Sequence, residues 1–233
     1  REKTMKELDE LLKYAIDKNE SKIKDFLSSK RGYKVGIMGG TFNPIHNAHL
    51  VIAEFIRDKY CLDKIIFIPT GNPPHKSHVV DKQHRFDMVV LATRKNDDFF
   101  VLDYEMRQTH MTYTVDTLKY LRSIYDFEDL YFITGSDTIN QIETWKDFRE
   151  NFALAKFIAA ARPGINLLET QENIGRYRRE YGASIDMLYV PALEISSTYI
   201  RSRLKSNHTI KYLMPTRVEE YIYDRGIYGG AID

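Results

Sequence analysis

From Lys34 onward, short β-rich runs alternate with segments of helix length, and no other feature restricts the possible folds as strongly. The runs are "YKVGIM", "KIIFIP", "FFVLD", "LYFITG", "AKFIAAA" and "DMLYV". The stretches between them are helical in length, expected at about residues 47–60, 82–95, 113–125, 137–152, 167–181 and 196–204. A last helix, "PTRVEEYIYDRG", has Pro215 near its first turn and Gly226 as its stop. Runs this apolar, separated by helices, build βαβ units. The expected fold class is α/β: a doubly wound, mostly parallel sheet with helices on both faces.

Residues 4–29 stand outside this alternation. Met5, Leu8, Leu12, Ile16, Ile23, Phe26 and Leu27 keep a helical period that the polar "DKNES" interrupts, which predicts two short helices. The basic, glycine-containing "SKRG" then marks a boundary near residue 32. The expected organisation is a helical N-terminal extension over 1–32, with no assigned role, before a single domain over 33–233.

Composition narrows the function. At 233 residues and 43% hydrophobic, the chain can bury a core without disulfides or metal. Lys+Arg 34 against Asp+Glu 33 leaves a net charge of +1, so no global field attracts nucleic acid or an anionic membrane. Cys61 is the single cysteine, which excludes an intramolecular disulfide and a cysteine-based zinc site and suits a reducing compartment. No apolar run nears the roughly 18 to 20 residues of a membrane span, and "REKTMKELDE" lacks a signal-peptide core. The expected location is cytoplasmic.

Chemistry concentrates in "VGIMGGTFNPIHNAHL", residues 35–50, at the end of the first strand run. In a doubly wound sheet, ligands bind beyond the carboxyl ends of the strands. Gly39 and Gly40 fall there, where glycine permits unusual φ angles and close approach of a ligand to the backbone. "GGTF" is neither a Walker A loop nor G-x-G-x-x-G. His46 and His49 sit three apart at the entry of the next helix and share a face. Taken alone, the stretch fits a tight turn with a satisfied core histidine, a two-histidine metal site lacking further ligands, or a phosphate cradle. The last uses the free N–H groups and positive dipole of a helix N-terminus.

"GGTFNPIHNAHL" resembles the phosphate-binding signature, T/H-x-G-H in type, of the nucleotidylyltransferase superfamily. The nearest likeness is to the "GGTFDPIHxGHL" form of bacterial nicotinate mononucleotide adenylyltransferases. Asn43 stands where Asp is usual, and Ala48 where Gly is usual, the latter tolerable if its φ is negative. The resemblance implies a Rossmann-like nucleotidylyltransferase fold and places Gly39, Gly40, Thr41, Phe42, His46 and His49 at ATP.

Five further segments resemble the family in its order, across roughly residues 34–228. "GNPPHK", an ordinary Pro-rich surface loop taken alone, implies His75 and Lys76 on the substrate-phosphate side with Asn72 beside them. "TYTVDT" is on local grounds a hydroxyl-rich helix cap; the resemblance makes Thr114 the contact to nicotinate. "TGSDT" offers Asp137 as a helix cap or as an acceptor for ribose hydroxyls, and the resemblance favours the adenosine side.

Trp145, the only tryptophan, is core packing or, exposed at a helix start, a stacking face for a pyridine ring. Lys146 replaces the family's usual Tyr and adds a cation near the substrate carboxylate. "ARPG" makes Arg162 a partner for a substrate phosphate. "EISSTYIR" is a capping cluster in most proteins. Here it resembles "ISSTxIR", so Ser197, Thr198 and Arg201 form a second phosphate cradle. Arg203 is expected to be a solvated helix residue.

The resemblance implies transfer of AMP from ATP to nicotinate mononucleotide, with His46, His49 and Arg201 as the catalytic set. Mg²⁺ would be bound through the ATP phosphates and no metal by the protein itself. The expected partners are ATP and nicotinate mononucleotide, with no nucleic acid and no membrane; a homo-oligomer stays open. Alternatives are nicotinamide mononucleotide as main substrate and a non-catalytic nucleotide sensor. Phosphopantetheine adenylylation is disfavoured by "TWK" and by length. A metal-dependent phosphoesterase built on the two histidines completes the set.

Overall fold

A computed structural model describes residues 2–72, 79–161, 167–191 and 193–229, with side chains from Met5 onward. The elements in order are α1 (Glu2–Ser28), β1 (Lys34–Gly40), α2 (Asn47–Lys59), β2 (Lys64–Pro69), α3 (Lys82–Thr93), β3 (Phe99–Val101) and α4 (Tyr104–Arg107). There follow α5 (Thr114–Ile124), β4 (Asp129–Gly135), α6 (Ser136–Ile139), α7 (Phe148–Leu154), β5 (Lys156–Ala161), α8 (Leu167–Tyr181), β6 (Ile185–Tyr189), α9 (Ser197–Lys205) and α10 (Thr216–Asp224). All six expected strands form, in one parallel sheet of order β3-β2-β1-β4-β5-β6. The strand order reverses between β1 and β4, so a crevice opens there beyond their carboxyl ends.

Strand residues alternate between two cores, as a two-sided sheet requires. Met38, Ile65, Phe67, Ile133 and Ile158 meet α2, α3, α9 and α10 on one face. Val35, Ile37, Ile66, Phe132 and Phe157 meet α5, α7 and α8 on the other.

Two helical expectations change. Residues 2–28 form one continuous helix, not two. Within the polar stretch, Asn19 is buried and lies against the edge strand: its amide donates to Val101 O at 3.0 Å, and Val101 N–H donates to its Oδ1 at 2.8 Å. Lys22 Nζ adds bonds to Asn96 O at 2.7 Å and Phe99 O at 3.0 Å. The polarity that suggests a break is what satisfies the open backbone of β3, an edge that would otherwise invite pairing. Leu8, Leu12 and Ala15 join one core and Phe26 the other, so α1 packs as part of the body.

The helix expected over 137–152 is instead α6, a 3₁₀ turn at Ile142–Thr144 and α7. Trp145 turns extended (φ −74, ψ 146) and Asp147 is left-handed (φ 48), and neither continues a helix. Trp145 therefore precedes the cap of α7 by two residues and does not begin a helix. Arg203 is also not simply solvated, since its Nε donates to Thr209 O at 2.6 Å and its guanidinium lies over the Tyr199 ring.

Candidate active site

A cavity of about 370 Å³ occupies the crevice at the switch point. Gly39, Gly40 and Thr41 from the end of β1, His49 from α2, Thr112 and Thr114 at the start of α5, Gly135 and Thr138 after β4, and Trp145 line it. Six of the expected site residues, Gly39, Gly40, Thr41, His49, Thr114 and Trp145, thus share one wall system.

The first loop is built differently from the sequence expectation. Gly39 and Gly40 finish β1, and the left-handed residue is Phe42 (φ 48). Gly40 is needed for space: a Cβ there would stand 3.1 Å from the Phe42 ring. That ring packs edge-on against His49, centroids 5.1 Å apart. His46 caps α2, is only 3% exposed, and stacks behind His49 at 3.8 Å. The His46 N–H donates to His49 Nδ1 at 3.2 Å. Because Nδ1 accepts, the proton of a neutral His49 ring is on Nε2. His49 is thus a cavity-facing residue held from behind by Phe42 and His46. Ala48 lies within α2, with the negative φ that its replacement of glycine requires.

The second cradle meets the first loop directly. Arg201 Nη1 donates to Asn43 O at 2.8 Å and Nη2 to Thr198 Oγ1 at 3.2 Å, while Ser197 Oγ donates to Pro44 O at 2.8 Å. Ser196 caps α9 by accepting from Tyr199 N–H at 3.1 Å. Ser197, Thr198 and Arg201 thus flank the loop between Thr41 and His49, the two residues by which it meets the cavity.

Other expected residues lie near the rim. Asp137 is exposed, its carboxylate folded over Gly135. Asn72 is exposed just after β2. Lys146 is exposed, with Nζ over the Tyr113 ring at 4.7 Å and 3.8 Å from Asp116. Trp145 is half-buried, edge-to-face with Phe132 at 6.0 Å. His75, Lys76 and Arg162 lie outside the described residues.

Three residues that sequence reasoning passed over hold the site. Arg85, 1% exposed, donates to Thr41 O at 2.9 Å, Thr70 O at 2.6 Å, Gly71 O at 2.9 Å and Val80 O at 3.2 Å. Burial pulls its pKa down, while Tyr228, Asp81 and Glu105 oppose this. Its one sequence signal is a position three and four residues before buried Met88 and Val89. Tyr228 donates to Asn43 Oδ1 at 2.8 Å, and Val80 N–H donates to the same oxygen at 3.3 Å. Asn43 is therefore a junction between the first loop, the loop before α3 and the C-terminal turn. Glu105 is a buried carboxyl on the cavity wall, placed by Gly71, where a Cβ would run into the Glu105 carbonyl. No pattern in "DYEMRQ" announces it.

Among the described residues, no three His, Cys, Asp or Glu side chains gather as metal ligands, and no helix is long and apolar enough to cross a membrane.

Residues 37–203 match the family model described as cytidylyltransferase-like. A probable nicotinate-nucleotide adenylyltransferase of Moorella thermoacetica is 48% identical over 203 residues, covering 86% of this chain and 94% of that protein. Its namesake in Thermoanaerobacter sp. is 46% identical over 202 residues, covering 85% and 96%. A solved structure of Plasmodium falciparum nicotinic acid mononucleotide adenylyltransferase complexed with NaAD superposes with a TM-score of 0.71 at 23% identity. It covers 86% of this chain and all of that one. At that identity the likeness speaks for the fold.

Proposed function

This chain belongs to the cytidylyltransferase-like family, and we infer that its cleft transfers the adenylyl group of ATP to nicotinate mononucleotide, releasing pyrophosphate. The product is nicotinate adenine dinucleotide, the deamido precursor in NAD synthesis. Relatives 46 to 48% identical over most of their length carry this activity in their names. The observation that carries the reading in the structure is the contact between the two phosphate-type segments. Arg201 and Ser197 are tied to Asn43 and Pro44, so the second set of donors is fixed to the same loop that joins Thr41 to His49 on the cavity wall.

The attacking atom is a phosphate oxygen of the mononucleotide, ionised at neutral pH. It forms a bond to the α-phosphorus of ATP as the bond to the bridging oxygen breaks, and the electron pair leaves with pyrophosphate. No protein nucleophile or base is needed. The protein's work is alignment and the countering of charge. His49 Nε2–H, with Thr41 and the backbone at Gly39 and Gly40, is assigned to the ATP phosphates near the α-phosphorus. His46 acts behind it, fixing the ring's tautomer and direction. Arg201, Ser197 and Thr198 are assigned to the β and γ groups. Phe42 positions His49, and Asp137 stands on the adenosine side.

Trp145 and Thr114 are assigned to the nicotinate ring, with Lys146 near its carboxylate. Asn72, His75, Lys76 and Arg162 are assigned to the mononucleotide phosphate. Among the described residues, the cavity wall has a single carboxyl group, Glu105. This fits Mg²⁺ held by phosphates and water, where it would neutralise leaving-group charge.

Pyrophosphate release with ATP and Mg²⁺ in the presence of nicotinate or nicotinamide mononucleotide tests the reading. Release with the nicotinate form well above the amide is expected. Release with neither would overturn the reading in favour of a nucleotide sensor.

A further inference from the structure

Glu105 is the one acidic side chain on the cavity wall among the described residues. It stands on α4, a single turn between β3 and α5, and is 8% exposed. Thr117 Oγ1 donates to its Oε1 at 2.7 Å, so a proton on the carboxyl belongs on Oε2. Thr117 lies one turn after Thr114 on the same face of α5, and Thr112, Thr114, Thr117 and Trp145 all face the cavity. The carboxyl's hydrogen-bond partner is therefore about 4.5 Å of helix rise from Thr114, the residue assigned to the nicotinate ring.

Its charged surroundings come from several elements. Arg85 of α3 is the nearby cation, but its guanidinium is engaged by four main-chain carbonyls. Lys82 of α3 is spent on Met106 O at 2.6 Å. Asp116 of α5 adds negative charge and pairs with Lys146 at 3.8 Å. His49 faces the same cavity from α2. On its own turn, Tyr104 lies close and Arg107 pairs with Asp103 at 2.7 Å. Burial raises the Glu105 carboxyl to about 7; Asp116 adds to this, and the Thr117 hydrogen bond and Arg85 oppose it.

We propose that Glu105 is a specificity-determining residue of the mononucleotide pocket: protonated, it admits a ring carboxylate, and ionised, it favours a ring amide. The proposal rests on the assignment of Thr114 and Trp145 to the nicotinate ring. A protonated carboxyl donates a hydrogen bond to the substrate carboxylate. An ionised one repels it at close range, and accepts instead from an amide N–H. Above neutral pH, binding of the carboxylate substrate thus takes up a proton.

The test is the ratio of kcat/KM for nicotinate over nicotinamide mononucleotide, at saturating ATP and Mg²⁺, between pH 6 and 8.5. Titration of ATP and of the phosphate common to both substrates cancels in this ratio, and any contribution of His49 would survive in Glu105→Gln. The ratio is expected to fall about tenfold from pH 6 to 8, following the protonated fraction of one group. Glu105→Gln keeps an acceptor for Thr117 and should leave the ratio flat. A ratio that is flat in the unaltered enzyme, or a slope that survives in Glu105→Gln, overturns the proposal while the adenylyl-transfer reading stands. No pyrophosphate from either mononucleotide overturns both.

Calorimetry of nicotinate mononucleotide binding to the unaltered enzyme at pH 8, in buffers of different ionisation enthalpy, tests the same point without a variant. Uptake of about one proton is expected, and no uptake refutes the proposal.

Discussion

The two sides of the cleft are built by different rules. On the β1–β2 side, the loop over residues 41–47 is braced by α3, α9, the turn at 227–229 and the segment before α10. Arg85 gathers four carbonyls, Arg201 and Ser197 take two more, Tyr228 holds the Asn43 side chain, and Asn47 bonds to Tyr212 O at 2.8 Å and Leu213 O at 2.9 Å. On the β4–β5 side, between Gly135 and Phe148, α6, a 3₁₀ turn and a left-handed Asp147 are tied to α8 through side chains rather than loop carbonyls, Asn140 donating to Thr170 Oγ1 at 3.1 Å and Arg176 to Glu143 at 2.7 and 2.6 Å, with Trp145 packed edge-on to Phe132. The difference follows from what each side is assigned to hold. Phosphate oxygens are stabilised by donors in fixed directions, so the backbone that aims them is locked by buried Arg85 and half-buried Arg201. An aromatic ring needs only a flat partner and a shape.

Arg85→Met breaks the braced side at its centre. It strands several buried carbonyls at once, each costing about 1–3 kcal/mol, partly relieved by relaxation. A loss of about 3–5 kcal/mol in urea unfolding is expected; a loss under 1 kcal/mol would show that the brace is ornamental. His49→Ala leaves the loop's bracing intact and removes the donor it aims. Its kcat should fall by about 10²–10³, the range for one preorganised donor. Turnover near that of the unaltered enzyme in steady-state assays would remove His49 from the phosphate site.

How much of this was legible in the sequence follows the same division. β2 has the limits of "KIIFIP" because a strand buried on both faces is an unbroken apolar run. α2 begins where the histidine motif predicts and α9 where Ser196 caps it. These are local signals, complete within a few residues. Apart from Arg85's bond to Val80 O, Arg85, Tyr228 and Glu105 act on partners 12 to 185 residues away, such as Thr117 for Glu105 and Asn43 for Tyr228. No local pattern encodes such a partner. Asn19 shows the same limit in reverse: a polar residue in the stretch that looks like a helix break is polar because an edge strand 82 residues away needs it. In 137–152 the helical periodicity was present, but the left-handed Asp147 that overrides it is a tertiary choice.

The β4–β5 side yields smaller effects. Trp145→Ala should raise KM for nicotinate mononucleotide about tenfold with kcat changed less, as expected for a lost stacking face worth about 1–3 kcal/mol. An unchanged KM would return Trp145 to core packing against Phe132.

Tyr228→Phe is the smallest change and the sharpest probe of the braced side, because it deletes one oxygen and keeps the ring. Asn43 Oδ1 then loses its 2.8 Å bond and keeps the longer one from the Val80 N–H at 3.3 Å. A cost of about 1 kcal/mol is expected in unfolding, the usual net value of one such hydrogen bond. Arg201 reaches the backbone oxygen of the same residue at 2.8 Å, so loosening Asn43 should also disturb the second cradle. KM for ATP should therefore rise a few-fold while KM for the mononucleotide stays near its original value. If both KM values move together, the junction at Asn43 braces the whole cleft and the division between its two sides fails.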